Sequence, residues 1–259
     1  MKAIKFIPCL LLIIFCSCSS EDNSSSQAEP FNLSLNNGSY WTYNVSGQNG
    51  TTRDSLYISN DTLINSKTYK KFKTKDIPTG FYSSSINNNG VRIDNNKLLL
   101  SGSLDVGANQ GLPSNITIEM DDFVIFNASS SVGSNLDSQS GTIQENVNGY
   151  PITIHYTLKS KAGNSYDEYS VENETYSNVK STIITLEMSV TAVYGGFTIT
   201  ALNTQEVLNS TQFIAENIGV IKTNSTFSYS MDPFIAGELG IPETATQNQE
   251  EILDTYLIN

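Results

Sequence analysis

Few side chains in this sequence could act as a nucleophile, a base or a metal ligand. The three cysteines, Cys9, Cys16 and Cys18, all lie within residues 1–18, and His155 is the only histidine. Because zinc and thiolate sites need several Cys or His ligands, the sequence beyond Cys18 excludes both. It also has no Gly-x-Ser-x-Gly elbow and no phosphate-binding glycine loop, so serine hydrolase and nucleotide chemistry have no support.

Carboxylates are then the only groups left for catalysis. A glycosidase needs two of them about 5–9.5 Å apart, and a sequence cannot show such a pair. Glu119 and Asp121 share one strand face and could bind Ca²⁺, but a solvated strand end, shared with Asp122, is the interpretation we prefer. His155 alternates with apolar residues on a strand over residues 152–158, so it should face solvent. We predict no catalytic residue, no metal and no other cofactor.

The N-terminus has the layout of a secretory signal peptide, which we assign to residues 1–17. Lys2 and Lys5 precede an apolar run over residues 6–15. Such a run covers only about half of a ~30 Å hydrocarbon core, too little for a permanent transmembrane helix. After cleavage Cys18 would be the one remaining cysteine, so an internal disulfide could not form.

The end of this leader, Phe15-Cys16-Ser17-Cys18, resembles the lipobox of bacterial lipoproteins, although Phe15 stands where Leu is usual. The resemblance implies that Cys18 carries acyl chains of the palmitate type. More than one chain is what stable anchoring to a membrane requires. The alternative is an ordinary secreted protein with incidental cysteines near its leader.

The next four residues, Ser19, Ser20, Glu21 and Asp22, resemble the export signal that sends Bacteroidetes lipoproteins to the outer face of the outer membrane. This resemblance implies a lipid-anchored protein exposed at the cell surface. Residues 19–30 are rich in Ser, Asn and Glu and cannot pack a core. We assign residues 18–37 to the lipidated Cys and a flexible linker, and a periplasm-facing anchor is the alternative to surface exposure.

The chain is acidic and otherwise rich in uncharged polar residues. Its formal net charge is −12, and such a surface repels phosphate backbones, so nucleic acid is not an expected partner. The abundant Asn, Ser, Thr and Tyr suit solvent-exposed sheet surfaces. The partners we expect are a membrane, through the lipid anchor, and a glycan or an apolar ligand.

Alternation of apolar and polar residues predicts many short strands. Trp41, Tyr43 and Val45 fall on one face of the first strand, and Asn65-Ser66 occupies a hairpin position. Seven residues between Tyr43 and Lys67 recur 113 residues later without a gap, which predicts one meander built twice.

We predict an all-β fold of antiparallel meanders that form an incomplete barrel or sandwich with two related halves, residues 38–145 and 146–259. No helix is expected between the strands. Residues 129–141 are predicted to be a loop, and residues 250–259 fit either a helix or a closing strand.

Three stretches carry further resemblances. Residues 61–69, DTLINSKTY, look like a hairpin of uncharacterised Bacteroidetes secreted proteins. Residues 174–180, ETYSNVK, and 214–222, IAENIGVIK, are similar to proteins with incomplete, sheet-rich barrels related to lipoprotein carriers. These resemblances imply a fold and a taxon, and no activity.

Four residues are candidates for surface roles. Phe81 and Tyr82 follow a Pro-Thr-Gly loop and are the aromatic residues that we expect to be better exposed, as candidates for ligand contact; a packed loop is the alternative. Ser55 and Thr62 each stand between Asp and Leu, which resembles the O-glycosylation sequon of secreted Bacteroidetes proteins. Plain strand alternation is the alternative for both.

These observations leave three hypotheses for the function. The first is a non-enzymatic binding or surface-interaction protein anchored in the outer membrane. The second is a periplasm-facing carrier of a lipid or other apolar ligand in a half-barrel, and the third is a carboxylate-based glycan enzyme. Retention on polysaccharide without turnover would indicate the binder, a co-purified acyl chain the carrier, and release of reducing ends the enzyme.

The Cys18→Ser variant should leave the membrane fraction, because no thiol would remain at the acylation position. Fractionation of cells that express the full chain, followed by immunoblotting, measures this. Cys16→Ser is the control and should stay with the membranes. Full membrane retention of the Cys18→Ser protein would contradict the lipobox interpretation.

Overall fold

The computed structural model describes residues 31–48, 50–107 and 116–259, and residues from Phe31 to Asn259 form one compact unit. The described residues form twelve strands and two short helices. In chain order these are β1 (Tyr40–Gly47), β2 (Gly50–Ile64), β3 (Lys67–Thr74), α1 (Phe81–Ile86), β4 (Gly90–Asp94), β5 (Lys97–Val106), β6 (Ile116–Asn127), β7 (Asn135–Val147), β8 (Tyr150–Val171), β9 (Glu174–Tyr194), β10 (Phe197–Ala215), β11 (Gly219–Ser230), α2 (Pro233–Leu239) and β12 (Thr244–Leu257).

All twelve strands belong to one antiparallel sheet with the order β6-β5-β4-β3-β2-β1-β12-β11-β10-β9-β8-β7. The first strand therefore pairs with the last, from Tyr40 opposite Leu257 to Gly47 opposite Gln249. The sheet curves into a nearly closed barrel whose seam lies between β6 and β7. The predicted all-β, incomplete-barrel class is confirmed. The predicted boundary at residue 145 falls near the end of β7, and the division into halves stays a prediction.

Side chains bridge the seam where backbone pairing is missing. The Val124 N–H on β6 donates to Asp137 Oδ2 on β7 at 2.9 Å. The Gln139 amide on β7 donates to the Glu119 carbonyl at 2.6 Å, and Ser160 Oγ on β8 donates to the Val124 carbonyl at 2.5 Å. Unpaired edge strands invite pairing with other chains, and these bonds occupy part of the backbone edge of β6.

The core fills the inside of the barrel, because alternate residues of each strand face it. Trp41, Tyr43 and Val45 are buried, as the alternation predicts. The two rings also find polar partners: Trp41 Nε1 donates to the Ile218 carbonyl at 2.7 Å, and the Tyr43 hydroxyl donates to the Val220 carbonyl at 2.9 Å. Thus β1 is attached to the start of β11 as well as to its own neighbours.

Successive strands run in opposite directions, so the barrel has two distinct ends. We call the end at which Phe31 leads towards β1 the N-terminal end; Phe31 packs there on Phe126 at the end of β6, with ring centroids 5.4 Å apart. The opposite end, the lid end, carries α1, α2 and the β7–β8 and β9–β10 turns. Both helices turn apolar side chains into the core, including Phe81, Ile86 and Ile235.

Several local predictions are corrected by the structure. The two helices interrupt a chain that we expected to contain strands alone. Residues 135–141, predicted as loop, belong to β7, because an edge strand with partly exposed faces can be rich in Ser, Gln and Gly. Asn60 and Asp61, a pair of residue types common in turns, lie inside β2 next to a register shift between Ile58 and Asn60. Residues 250–257 are strand, while the Asn65-Ser66 turn is confirmed by φ values of 48° and 65°.

The two matched segments of the repeat adopt different local structures. In the first, β1 ends at Gly47 and β2 begins at Gly50. In the second, the corresponding residues 160–163 lie inside β8, which continues to Val171. Asn178 likewise lies within β9, whereas its counterpart Asn65 lies in a turn.

Within the described residues, neither helix is long and apolar enough to cross a bilayer.

Replacing Asp137 by Ala should destabilise the fold by about 1–2 kcal/mol, because the Val124 N–H at the seam would lose its acceptor. Urea denaturation at neutral pH measures the change. Asp137→Asn is the matched control, since its remaining carbonyl oxygen can still accept this bond, and it should lose less than half as much. Equal stability of Asp137→Ala and the unmodified protein would show that the seam bond contributes nothing.

Candidate functional site

A cleft of about 320 Å³ opens at the lid end. It lies between the end of β1, the starts of β2 and β12, and the segment that leads into α1. Its volume is at the lower limit of the range usual for small-molecule sites. The lining residues are Val45, Gly47, Gln48, Gly50, Thr52, Ile77, Pro78, Thr79, Ser84, Gln247 and Gln249.

The described lining of the cleft is polar but carries no ionisable side chain. Three glutamines contribute amides, and Thr52, Thr79 and Ser84 contribute hydroxyls. Ile77, 88 % exposed, adds an apolar surface at the mouth. The backbone of Gln247 pairs with β11, but its side-chain amide has no hydrogen-bond partner among the described residues and is available to a ligand. Such a surface suits a neutral ligand rich in hydroxyl groups.

The wall of the cleft is held in place by side chains that reach it from two strands. The carboxylate of Asp54 on β2 accepts hydrogen bonds from Thr79 N–H at 3.0 Å and Gly80 N–H at 2.8 Å. Gln249 on β12 accepts from Phe81 N–H at 2.6 Å and donates to the Thr79 carbonyl at 2.8 Å.

Glu251, two residues further along β12, completes this arrangement. Its Oε1 accepts from Tyr82 N–H at 2.6 Å, and its Oε2 accepts from Ser83 N–H at 3.2 Å and Ser83 Oγ at 2.9 Å. We call Asp54, Gln249 and Glu251 the clamp. Together they satisfy five consecutive backbone N–H groups, which include the first turn of α1, where a helix has no internal acceptors.

The local sequence explains why the clamp is needed. Gly80 stands at the N-cap of α1 and makes no side-chain capping bond. A Cβ at this position would lie 2.1 Å from Glu251 Oε2, so glycine is required for the carboxylate to approach. The cap that a local Ser or Asp usually provides comes here from a strand far away in the chain.

Burial changes the ionisation of Glu251. The side chain is only 1 % exposed, and this desolvation raises its pKa to about 7, against the opposing effect of the Tyr82 and Ser83 donors. The negative charge of Asp54 nearby adds to the increase. Desolvation also raises the pKa of Tyr82, which packs edge-on against Tyr43 with ring centroids 5.6 Å apart.

The clamp carboxylates are placed to hold the wall, and their geometry does not expose them to a ligand. Asp54 is 4 % exposed and Glu251 is 1 % exposed. Their oxygens are directed at the backbone of residues 79–83, and neither residue lines the cleft. A general acid or base must reach the reacting group directly or through one water, which this packing does not provide.

Sequence reasoning missed the clamp, although part of the signal was present. Asp54 alternates in phase with Leu56 and Ile58 on β2, so a carboxylate on the buried face was predictable. Glu251 alternates in phase with Leu253, but residues 250–257 could also be arranged on a helical face, which hid the strand phase.

A second cluster of charges lies on β3 to β6 around Asp122. Its two carboxylate oxygens bind Arg92 Nε and Nη2, each at 2.8 Å, and they also accept from Lys67 and Tyr69. The Arg92 guanidinium holds the pKa of Asp122 well below its usual range. Ser101 Oγ donates to the Tyr69 hydroxyl. Both carboxylate oxygens of Asp122 accept hydrogen bonds within the cluster. The cluster stabilises the β5–β6 ladder at its register shift between Leu100 and Gly102.

Phe81 and Tyr82 were expected to be exposed, and this expectation is wrong. They begin α1, are 2 % and 9 % exposed, and pack in the core. Phe81 lies edge-on against Phe227 with ring centroids 5.4 Å apart. Because the clamp directs the start of the helix into the barrel, neither ring is available to a ligand at the surface.

The other predicted residues lie apart from the cleft. His155 is exposed, as predicted, and its Nδ1 is 3.0 Å from Thr142 Oγ1. Glu119 and Asp121 are exposed on β6, and the described residues contain no group of three or more Asp, Glu, His or Cys able to hold a metal. Ser55 and Thr62 are half-buried on β2, and their glycosylation stays a prediction.

The signal peptide, residues 1–17, the acylation candidate Cys18 and the export residues Ser19, Ser20, Glu21 and Asp22 lie outside the described residues. They stay predictions.

The interior of the barrel also contains apolar cavities. Three apolar cavities in the described part of the core have volumes of about 30, 20 and 40 Å³. Each can hold one or a few water molecules, whereas sites for small organic ligands occupy roughly 300–1,000 Å³.

Glu251 should make the protein less stable as pH rises. Its folded pKa of about 7 lies above the ordinary value of 4.5, so the folded form binds the proton more tightly. The stabilisation is complete below pH 4.5 and is lost as pH rises through 7, a change of about 3 kcal/mol. Urea denaturation between pH 4.5 and 8 measures it.

Glu251→Gln should lose this part of the pH dependence. Glu250→Gln, which removes the adjacent carboxylate from its ion pair with Lys222, is the control and should keep it. A Glu251→Gln profile as steep as that of the unmodified protein would refute the assignment.

No protein-family model, no curated protein and no solved structure matches this chain. The resemblances to Bacteroidetes lipoproteins and to lipoprotein carriers therefore stay expectations from the sequence.

Proposed function

We propose that this protein is a non-enzymatic binding protein, anchored in the outer membrane through Cys18, which holds a neutral glycan in the lid-end cleft. One observation carries the proposal: the cleft combines amides and hydroxyls on a wall that the clamp has already fixed. Sugars are recognised by such donors and acceptors, and a fixed wall reduces the ordering cost of binding.

The position of the cleft agrees with a surface role. The described unit begins at Phe31 at the N-terminal end, and the cleft opens at the lid end. The chain therefore enters the described unit at the end of the barrel opposite to the cleft.

The two other hypotheses have less support. A carrier needs space for an acyl chain, and the described core offers cavities of about 20–40 Å³. A glycan enzyme needs two carboxylates facing its substrate, and Asp54 and Glu251 face the backbone of residues 79–83. The net charge of −12 disfavours binding of nucleic acid or of acidic glycans.

Affinity electrophoresis of the full chain in gels that contain xylan, mannan or a neutral glucan tests the proposal. At least one of these neutral polysaccharides should retard the protein, and polygalacturonate should not. No reducing ends should be released during incubation.

Gln247→Ala should weaken the retardation about three- to tenfold, the effect of losing one or two hydrogen bonds to the ligand. Gln144→Ala, an exposed amide on β7, is the control and should bind as the unmodified protein does. Failure of all the neutral polysaccharides, or equal binding by Gln247→Ala, would overturn the proposal. Release of reducing ends would favour the enzyme instead.

A further inference from the structure

A second surface at the lid end has a different chemistry. Tyr150, Tyr194, Phe197 and Phe234, which we call the aromatic patch, come from β8, β9, β10 and α2. The Tyr150 and Tyr194 rings stack with centroids 5.8 Å apart, and Phe234 meets Tyr194 edge-on at 5.2 Å. Phe197 is directly opposite Tyr194 in the β9–β10 ladder. Tyr194 therefore connects all four residues into one surface.

Two rings of this patch are largely exposed. Phe197 is 75 % exposed and Phe234 is 53 % exposed. Burial of aromatic rings dominates the energetics of cores and interfaces, so leaving two phenylalanines in water costs stability that a bound partner would restore. Clusters of exposed apolar side chains mark interaction sites.

The backbone holds the patch in a fixed arrangement. Gly195 and Gly196 form the turn between β9 and β10 with φ values of 58° and 84°, the left-handed pair that a two-residue hairpin requires. Asp232 caps α2 by accepting from Phe234 N–H at 3.0 Å. The Tyr150 hydroxyl donates to Glu238 on the same helix at 3.0 Å. A partner would bind a preformed surface, so little conformational entropy would be lost in ordering it.

The charges around the patch are all negative. Glu238 accepts a hydrogen bond from the Tyr150 hydroxyl, and Asp232 caps the helix that carries Phe234. Glu243 lies close to that helix, where its backbone carbonyl accepts the Met231 N–H. The segments that build the patch, residues 143–157, 187–201 and 230–245, contain no Lys or Arg. The field over the patch therefore favours a cation.

We propose that the aromatic patch docks a polypeptide partner that presents apolar side chains flanked by Lys or Arg. The rings would pack against the apolar side chains, and the basic groups would face Glu238 and the ring surfaces. A second copy of this chain would bring the same acidic rim against its own, which is repulsive. Anionic lipid would be repelled for the same reason. The patch shares no residue with the cleft, so this interaction is independent of glycan binding.

A designed peptide tests the chemistry. The probe is an amphipathic Leu/Lys peptide carrying a fluorophore, titrated with the full chain and followed by fluorescence anisotropy. Leu/Gln and Leu/Glu peptides of the same length are the charge controls. The Leu/Lys peptide should bind more tightly than both, and its affinity should fall as salt is raised. No binding of the Leu/Lys peptide, or equal binding of the Leu/Gln peptide, would overturn the proposal.

The variant Phe197→Ser/Phe234→Ser should bind the Leu/Lys peptide with an affinity at least about tenfold lower, the usual effect of removing central aromatic contacts. Leu63→Ser/Val132→Ser is the matched control, because these side chains are 73 % and 60 % exposed at the N-terminal end; it should bind normally. If the double variant folds poorly, Phe197→Ser alone, at the most exposed position of the patch, gives the same test with a smaller loss.

Two further outcomes would assign the patch to another occupant and overturn the proposal. One is cosedimentation with phosphatidylcholine or phosphatidylglycerol vesicles that the Phe197→Ser/Phe234→Ser variant loses. The other is a concentration-dependent dimer, detected by sedimentation velocity, that the same variant abolishes.

Discussion

The pairing of β1 with β12 is the interaction on which the rest of this structure depends. Strands β2 to β6 follow β1 by successive hairpin neighbours, and β11 to β7 follow β12 in the same way. Among the described strands, the β1–β12 ladder is the pairing that joins these two arms. It also brings Asp54, beside β1, to the same end as Gln249 and Glu251 on β12. The ladder joins the two arms into one sheet and assembles the clamp.

The clamp shows how a short helix can be specified without local signals. Helix α1 has six residues, too few to be stable from propensity alone. Its first N–H groups are accepted by side chains that the sheet delivers, and its aromatic residues enter a core that the sheet encloses. Burying Glu251 costs desolvation energy, and the bonds to Tyr82 and Ser83 offset part of this cost. Because these bonds hold the backbone of residues 79–83, the wall of the neighbouring cleft is fixed.

Sequence patterns predicted the features that depend on a single strand or a single turn. The phase of Trp41, Tyr43 and Val45 gave a buried face, and Asn65-Ser66 gave a hairpin, because both are local consequences of period-two geometry and turn chemistry. Helix α1 was not predictable, since its cap comes from residues about 170 positions away. The prediction that Phe81 and Tyr82 are exposed was wrong for the same reason. β7 was missed because an edge strand partly exposed on both faces lacks the alternation that identifies a strand.

The pairing of the first described strand with the last also bears on the order of the strands along the sequence. The side-chain amide of Asn36 donates to the carbonyl of Asn259, so the start and the end of the described barrel touch. A chain that ran from β7 to β12, continued into β1 and finished at β6 would build the same sheet entirely from sequence neighbours. The existing order instead leaves its one essential ladder to residues more than 200 positions apart. Loop closure over that distance adds a conformational-entropy cost to the formation of this ladder. Circular permutation at the seam would convert a sheet joined through its first and last strands into a simple meander.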